Sequence, residues 1–192
     1  MNRREEVAEL VFPNIDLTVS DLEKKYPKRD ISDDAIVTRF APSPTGFLHT
    51  GSLFTSLVSY RFAKQTNGVF FLRLEDTDQK REIKGSKEKV IEQLEIFNIY
   101  PDESYLDKDT SYGPLVQSKR KQIYHTVIKE MIKNGDAYPC FCSHDELAKV
   151  RKYQEENKLL PGYYKEFASC RHLASEEVIE KIKSGEEYVI RL

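Results

Sequence analysis

The chain has 192 residues, 39% of them hydrophobic and 32% charged, with 30 basic against 32 acidic side chains for a net charge of −2. That length and composition suit a globular protein of one large domain or two small ones and exclude a disordered chain. The near balance of charge excludes a non-specific nucleic-acid coat, so any RNA contact has to come from a local basic patch. No apolar run reaches the length of a membrane span, and the start, MNRREEVAELVF, lacks the apolar core and cleavage site of an export signal. The cytoplasm is therefore the expected compartment, with no membrane partner.

Residues 1–34 read as a charged preamble. A short helix over 5–12 stops at Pro13, and Ser20 to Glu23 offer capping oxygens for a second one ending near Tyr26-Pro27. The run AIVTRFA (35–41) is β-branched and apolar and reads as a buried strand, broken by Pro42-Ser43-Pro44-Thr45-Gly46. The pattern then predicts a helix over 51–65 with Leu53, Leu57, Val58 and Phe62 on its apolar face, ended by Asn67-Gly68, and a second buried strand over 69–74. Strand, helix and strand fit the length of a βαβ unit with parallel strands. A helix over 86–97 presents Val90, Ile91, Leu94 and Phe97. Residues 101–117 read as a loop, and a longer helix over 117–134 turns Ile123, Val127, Ile128 and Met131 inward before Gly135 closes it. Short elements around the cysteines follow. A helix over 175–183, capped by Ser175, and a strand over 187–192 complete the chain.

The stretch from Pro42 to Ser52 has the make-up of a phosphate-handling turn. A parallel strand leaves its sheet at the carboxyl end, where ligands bind in open α/β folds, and the next helix begins with free N–H groups and a positive dipole end. Two prolines stiffen the connection, Gly46 permits a φ other residues resist, and Gly51 removes a side chain where a ligand would approach. His49 sits at the helix mouth, placed to donate to a phosphate oxygen. Neither G-x-G-x-x-G nor a P-loop is present. From these residues alone, a tight strand-to-helix turn with a surface histidine is the favoured reading.

HTGS (49–52) resembles the HIGH motif of class I aminoacyl-tRNA synthetases, with Thr50 in place of its Ile. RFAPSPTG (39–46), LRLEDTD (72–78), GPLVQSKR (113–120) and YPCFCS (138–143) are similar, in the same order, to the bacterial glutamyl-tRNA synthetases. Glutaminyl relatives usually carry a PPEPNG-like stretch in place of RFAPSPTG. The resemblance implies that Arg39 pairs with a carboxylate of glutamate and that Ala41 and Ser43 contact the same amino acid. It further implies that Glu75 faces the α-ammonium, and that Thr45, Gly46, His49 and Gly51 contact ATP. His49 and Gly51 would be the catalytic pair, the histidine stabilising charge on the α-phosphate and the glycine letting adenosine pack on the helix. Mg²⁺ would accompany the ATP. Structural alternatives stay open: Arg39 pairing only with Asp76 or Glu75, and turn roles for Asp76 and Asp78.

Cys140-x-Cys142 and Cys170-x-His172 form two donor pairs separated by 27 residues. Three cysteines cannot all pair with one another, and four soft or borderline donors suit tetrahedral Zn²⁺. Buried or reactive cysteines beside a surface histidine are the alternative, and His144 is a further candidate. The resemblance implies C-x-C…C-x-H zinc ligands in the subdomain that meets the tRNA acceptor end. Tyrosine replaces a ligand in some relatives, but four donors leave Tyr163 and Tyr164 spare. Lys119, Arg120, Lys121, Lys129 and Lys133, then Lys149, Arg151 and Lys152 near Tyr153, read from charge alone as a solvated face, and from the resemblance as an acceptor-stem surface.

The expected class is α/β: a helical extension over 1–34, the first half of a Rossmann-type domain over 35–117, and the start of an inserted zinc-bearing acceptor subdomain from 118. The implied activity is ATP-dependent attachment of glutamate to tRNA(Glu) by a monomeric parent enzyme. With no lysine-rich KMSKS-like loop and no anticodon domain, an inactive N-terminal fragment is expected. The alternatives are a tRNA-modifying paralogue that transfers glutamate to a base, and a non-catalytic zinc-stabilised RNA-binding module.

Overall fold

The computed structural model describes residues 2–44, 46–78, 83, 85–108 and 111–192. In chain order its elements are α1 (Arg3–Val11), α2 (Val19–Lys25), β1 (Val37–Phe40), α3 (Thr50–Gln65), β2 (Val69–Leu72), α4 (Ser86–Ile96), α5 (Lys121–Asn134), β3 (Tyr138–Cys140), α6 (His144–Glu156), α7 (Ser175–Lys183) and β4 (Val189–Arg191), with short 3₁₀ turns at Gln117–Arg120, Lys165–Phe167 and Ser169–His172. They group into two units, Ser20–Ile123 and Met1–Val19 with Tyr124–Leu192. Among the described residues, no helix is long and apolar enough to cross a membrane.

In the Ser20–Ile123 unit, β1 and β2 pair in parallel with Arg39 opposite Phe71 and Phe40 opposite Leu72. Parallel neighbours need a crossover, and α3 supplies it. Side chains alternate: Phe40, Phe70, Leu72 and Leu74 enter the core with Ala63, Val90, Leu94 and Ile99. The strands are buried on that face only, not on both as the apolar runs suggest, and Val37 is 42% exposed. The loop over 101–117 contributes extended contacts of its own, through parallel bridges Phe71 to Glu103 and Leu74 to Val116.

The apolar face predicted for α3 is corrected. Leu53, Ser56, Tyr60 and Ala63 turn to the core, whereas Leu57, Val58 and Phe62 are exposed. Small residues allow close approach to the sheet, and Ser56 satisfies its hydroxyl on the Leu53 carbonyl at 2.8 Å. Asn67, at φ 52°, ends α3, and Gly68 is demanded by packing: a Cβ there would stand 2.0 Å from the Ile36 carbonyl oxygen. On α4, Val90 and Leu94 are buried, while Phe97 is 56% exposed and Ile99 takes its place. Before β1, Arg29 docks its segment by donating to Glu103 at 2.8 Å and stacking 3.9 Å over Tyr112.

The second unit builds a core from Val7, Ala8, Ile132, Ala137, Val178 and Ile179. α1 starts with a capping box of Asn2 and Glu5 and packs on α7. The inward face of α5 is also corrected: Thr126, Lys129 and Ile132 are buried, Ile128 and Met131 partly so, and Val127 is 38% exposed. Lys129, expected on a basic surface, donates instead to Glu9 at 2.7 Å and to the carbonyls of Phe12 and Ile15 at 3.1 and 2.8 Å. Satisfying all three ammonium hydrogens is what permits a lysine there. At the end of α5, Gly135 takes φ +86°, and Arg4 donates to the last carbonyl, Asn134, at 3.3 Å. The helix α6 was not anticipated. Ser143 and Glu146 form its capping box, while its polar sequence leaves Gln154 as its buried residue. Ser175 is the first residue of α7 and not its cap. The cap position is Ala174, which has no side-chain oxygen. Likewise α2 begins at Val19, so Ser20 and Asp21 lie inside it.

Candidate functional site

The first site lies where β1 ends. Pro42 and Pro44 have no N–H, so only their carbonyls need partners, and both have them. Glu75 donates its N–H to Pro42 at 2.9 Å, while Ile83 (N–H) and Ser86 (hydroxyl) donate to Pro44 at 2.9 and 3.0 Å. Arg73 donates its N–H to Phe40 at 3.0 Å. The turn is therefore fixed to the segment that follows β2. The register places Arg39 and Ala41 on one face with Arg73 and Glu75, opposite the core.

Arg39 is exposed and has no ion pair or hydrogen bond among the described residues, so neither Glu75 nor Asp76 neutralises it. Glu75 pairs instead with Arg73, Nη2 to Oε1 at 3.2 Å. Asp76 is buried and accepts from the N–H and hydroxyl of Ser118 at 2.9 and 2.7 Å, which gives it the structural role. That clamp joins LRLEDTD to GPLVQSKR. Asp78 is exposed, as is Ser43; Ala41 is half-buried. Gly46 takes φ +142°, which suits glycine. Thr45 lies outside the described residues.

His49 is the N-cap of α3. Its Nδ1 accepts from the Ser52 N–H at 3.2 Å, which puts the proton of the neutral ring on Nε2, 3.1 Å from the Ser52 hydroxyl. A Cβ at Gly51 would stand 3.1 Å from the imidazole, so this glycine keeps room for the ring. No carboxylate occupies the first turn of α3, so none there opposes the positive end of its dipole. The whole arrangement offers a guanidinium unpaired among the described residues, a carboxylate and a helix mouth suited to anions.

The second site is in the other unit. Cys140 closes β3, Cys142 precedes the α6 cap and Cys170 lies in the 3₁₀ turn Ser169–His172, and their sulfurs all fall within 4.8 Å of one another. Cys142 and Cys170 are 3.5 Å apart. His172 is exposed and outside this group, because at three residues per turn a position two further on points away from Cys170. His144, the first residue of α6, is exposed as well. The Tyr163 hydroxyl is the group that joins the thiols. It lies 3.4 Å from Cys140 Sγ and 3.2 Å from Cys142 Sγ, and accepts from the Cys170 N–H at 3.2 Å. Arg191, on β4, stacks 4.4 Å from the Tyr163 ring centroid.

Burial works against ionisation of Cys140, but hydrogen bonds from Tyr163 and the Cys142 backbone, with Arg191 beside it, bring its pKa down to about 7. Burial pushes Cys142 up, and burial with the two thiols beside it raises Tyr163. The three sulfurs form a donor set that fits Zn²⁺, with the Tyr163 phenol against them and the Arg191 guanidinium beside it as a compensating charge. The basic residues nearby behave as solvated pairs: Arg151 with Glu155 at 2.9 Å and Lys152 with Glu156 at 3.8 Å. Arg73 and Arg191 are residues that sequence reasoning did not assign, and Tyr163, expected to be spare, stands instead among the thiols.

Residues 35–192 match the family described as tRNA synthetases class I (E and Q), catalytic domain. The chain is 46% identical over 191 residues to the glutamate–tRNA ligase of Clostridium beijerinckii, covering 98% of this chain and 34% of that protein. With the enzyme of Acetivibrio thermocellus the identity is 46% over 188 residues, covering 96% and 34%. A crystal structure of a glutamate tRNA ligase from Elizabethkingia meningosepticum, in complex with its amino acid, superposes with a TM-score of 0.70 at 38% identity, covering 83% of this chain and 32% of that one. The chain thus spans about a third of the length of the curated relatives it matches.

Proposed function

The chain belongs to the catalytic-domain family of class I tRNA synthetases for glutamate and glutamine, and on that premise we propose that its Ser20–Ile123 unit binds L-glutamate and ATP for formation of glutamyl-adenylate. The observation that carries this reading is the exposed guanidinium of Arg39, unpaired among the described residues, on the same face as Glu75. Glutamate supplies a side-chain carboxylate for the arginine fork and an ammonium for Glu75. Ala41 and Ser43 line the same turn. In the reaction, the α-carboxylate of glutamate attacks the α-phosphorus of ATP and pyrophosphate leaves. Nε2–H of His49 and the first N–H groups of α3 stabilise the charge on phosphate; Gly51 and Gly46, with Thr45 as implied by the family motif, would contact the nucleotide, and Mg²⁺ bound with ATP would offset further phosphate charge.

The Cys140, Cys142 and Cys170 thiolates would hold a structural Zn²⁺, with Tyr163 rather than His172 as the nearby group to complete the set. With that metal bound, the second unit carries the acceptor end of tRNA(Glu), and residues 35–117 form the first half of a Rossmann-type domain preceded by a helical extension. The setting is cytoplasmic.

Because the relatives are about three times as long, binding is the decisive measurement for this chain rather than tRNA charging. Calorimetric titration of L-glutamate, with and without a non-hydrolysable ATP analogue, is expected to give saturable heat that D-glutamate does not reproduce. A chain that binds neither glutamate nor the nucleotide overturns the reading. Purified without added metal, the protein is expected to carry roughly one equivalent of zinc; less than about a tenth removes the metal assignment.

A further inference from the structure

Arg73 is the group near the first site whose arrangement costs more than it returns. Its side chain is 16% exposed and directs Nη2 to Oε1 of Glu75, two residues on along the same extended stretch. Its Nε is buried and has no partner among the described residues. A partly exposed ion pair contributes little to folding, and an unpaired buried N–H costs more than such a pair returns. Local costs of this kind persist where they serve a site. Both residues are pinned by backbone bonds to the turn that carries Arg39: the Arg73 N–H to Phe40 and the Glu75 N–H to Pro42. Oε2 of Glu75 has no partner among the described residues.

We propose that Arg73 is a positioning residue for Glu75, holding one carboxylate oxygen so that the other receives the ammonium of the incoming amino acid. This rests on the glutamate reading above. Arg73 acts through Glu75 and does not itself recognise the carboxylate that Arg39 takes. Glutarate, which is glutamate without its amino group, therefore separates the two arginines.

The test titrates L-glutamate and glutarate into the 192-residue chain, following ¹H–¹⁵N spectra that include the arginine Nε–H region. Arg73→Met is expected to weaken glutamate about tenfold and glutarate less than about twofold, and to add less than about twofold in a Glu75→Gln background, as coupled neighbours do. Arg73→Lys, which keeps the charge but loses the planar fork, recovers part of the glutamate affinity. In the wild type, the Arg73 Nε–H signal shifts on adding glutamate and not on adding glutarate, a readout that needs no variant to fold. Equal losses for both ligands, full additivity with Glu75→Gln, or an unmoved Nε–H signal on saturation with glutamate overturns the proposal alone. A wild-type chain that binds neither ligand overturns the glutamate reading and the proposal with it.

Discussion

The two candidate sites are built in opposite ways. In the Ser20–Ile123 unit, the strands divide their work by face: Phe40, Leu72 and Leu74 hold the core, while Arg39, Arg73 and Glu75 look the other way. The groups offered to a ligand there are little used by the fold. In the second unit the same atoms serve both purposes, since the three thiols and Tyr163 bond to one another and tie β3, the loop before α6 and the turn at Cys170 together. Alternation along a strand lets stability and chemistry be changed separately, whereas a closed cluster of donors does not. Substitutions should therefore be tolerated very differently in the two units.

The largest expected effect is on the thiol cluster. Structural zinc in small domains contributes on the order of 10 kcal/mol to folding. Cys170→Ser, or a strong chelator, should lower the melting of the second unit by tens of degrees or abolish its transition, since each kcal/mol moves a domain of this size by about 4–8 °C. Calorimetry with and without chelator checks this. Identical traces would mean that hydrogen bonds alone hold the cluster and would erase the contrast.

Lys129→Met comes next. It removes the donor shared by Glu9, Phe12 and Ile15. Breaking a buried charge site from one side costs about 3 kcal/mol, and here the part-exposed Glu9 can re-solvate, so a loss of about 2–3 kcal/mol in urea unfolding is expected. A loss under about 1 kcal/mol would show that the N-terminal segment contributes little to its unit. Gly135→Ala should cost less, about 1–2 kcal/mol. The left-handed φ of +86° penalises any Cβ, while the atoms it would meet, the Arg4 guanidinium at 2.6 Å, are the movable end of a long side chain.

The same contrast decides what could be read from sequence. Helices and strands flanked by strong stop signals, such as Pro42, Asn67-Gly68 and Gly135, were legible because those signals act through local φ. The face that α3 buries was not, since Ser56 and Ala63 carry no hydrophobic signal and are chosen for close approach. α6 is nearly all polar, and only the Ser143-x-x-Glu146 box announced it. Arg39, Glu75 and His49 were legible as motif members. Their partners were not, because Arg73 looks like any other strand-end cation until the register is known. The fourth member of the thiol cluster, Tyr163, was in view as a substitute ligand but passed over for His172, because spacing along the chain does not show that the 3₁₀ turn directs His172 away from Cys170. Lys129 looked like one more basic residue in a series until its carbonyl partners came from the other end of the chain.

Arg39→Ala is expected to have the smallest effect on folding, and it is the sharpest probe of the contrast. Its guanidinium is exposed and has no partner among the described residues, so nothing in the fold depends on its charge. Backbone pairing at position 39 is independent of the side chain, and alanine adopts extended φ without strain. Stability should stay within about 0.5 kcal/mol of wild type, as for other surface changes away from caps and cores. Glutamate affinity should nevertheless fall at least about tenfold, because a charge-assisted bidentate contact of about 1.5–3 kcal/mol is lost. Urea unfolding and glutamate titration on one preparation read both quantities. A variant that loses stability and affinity together would place Arg39 in the fold after all, and the separation by strand face would not hold in this unit.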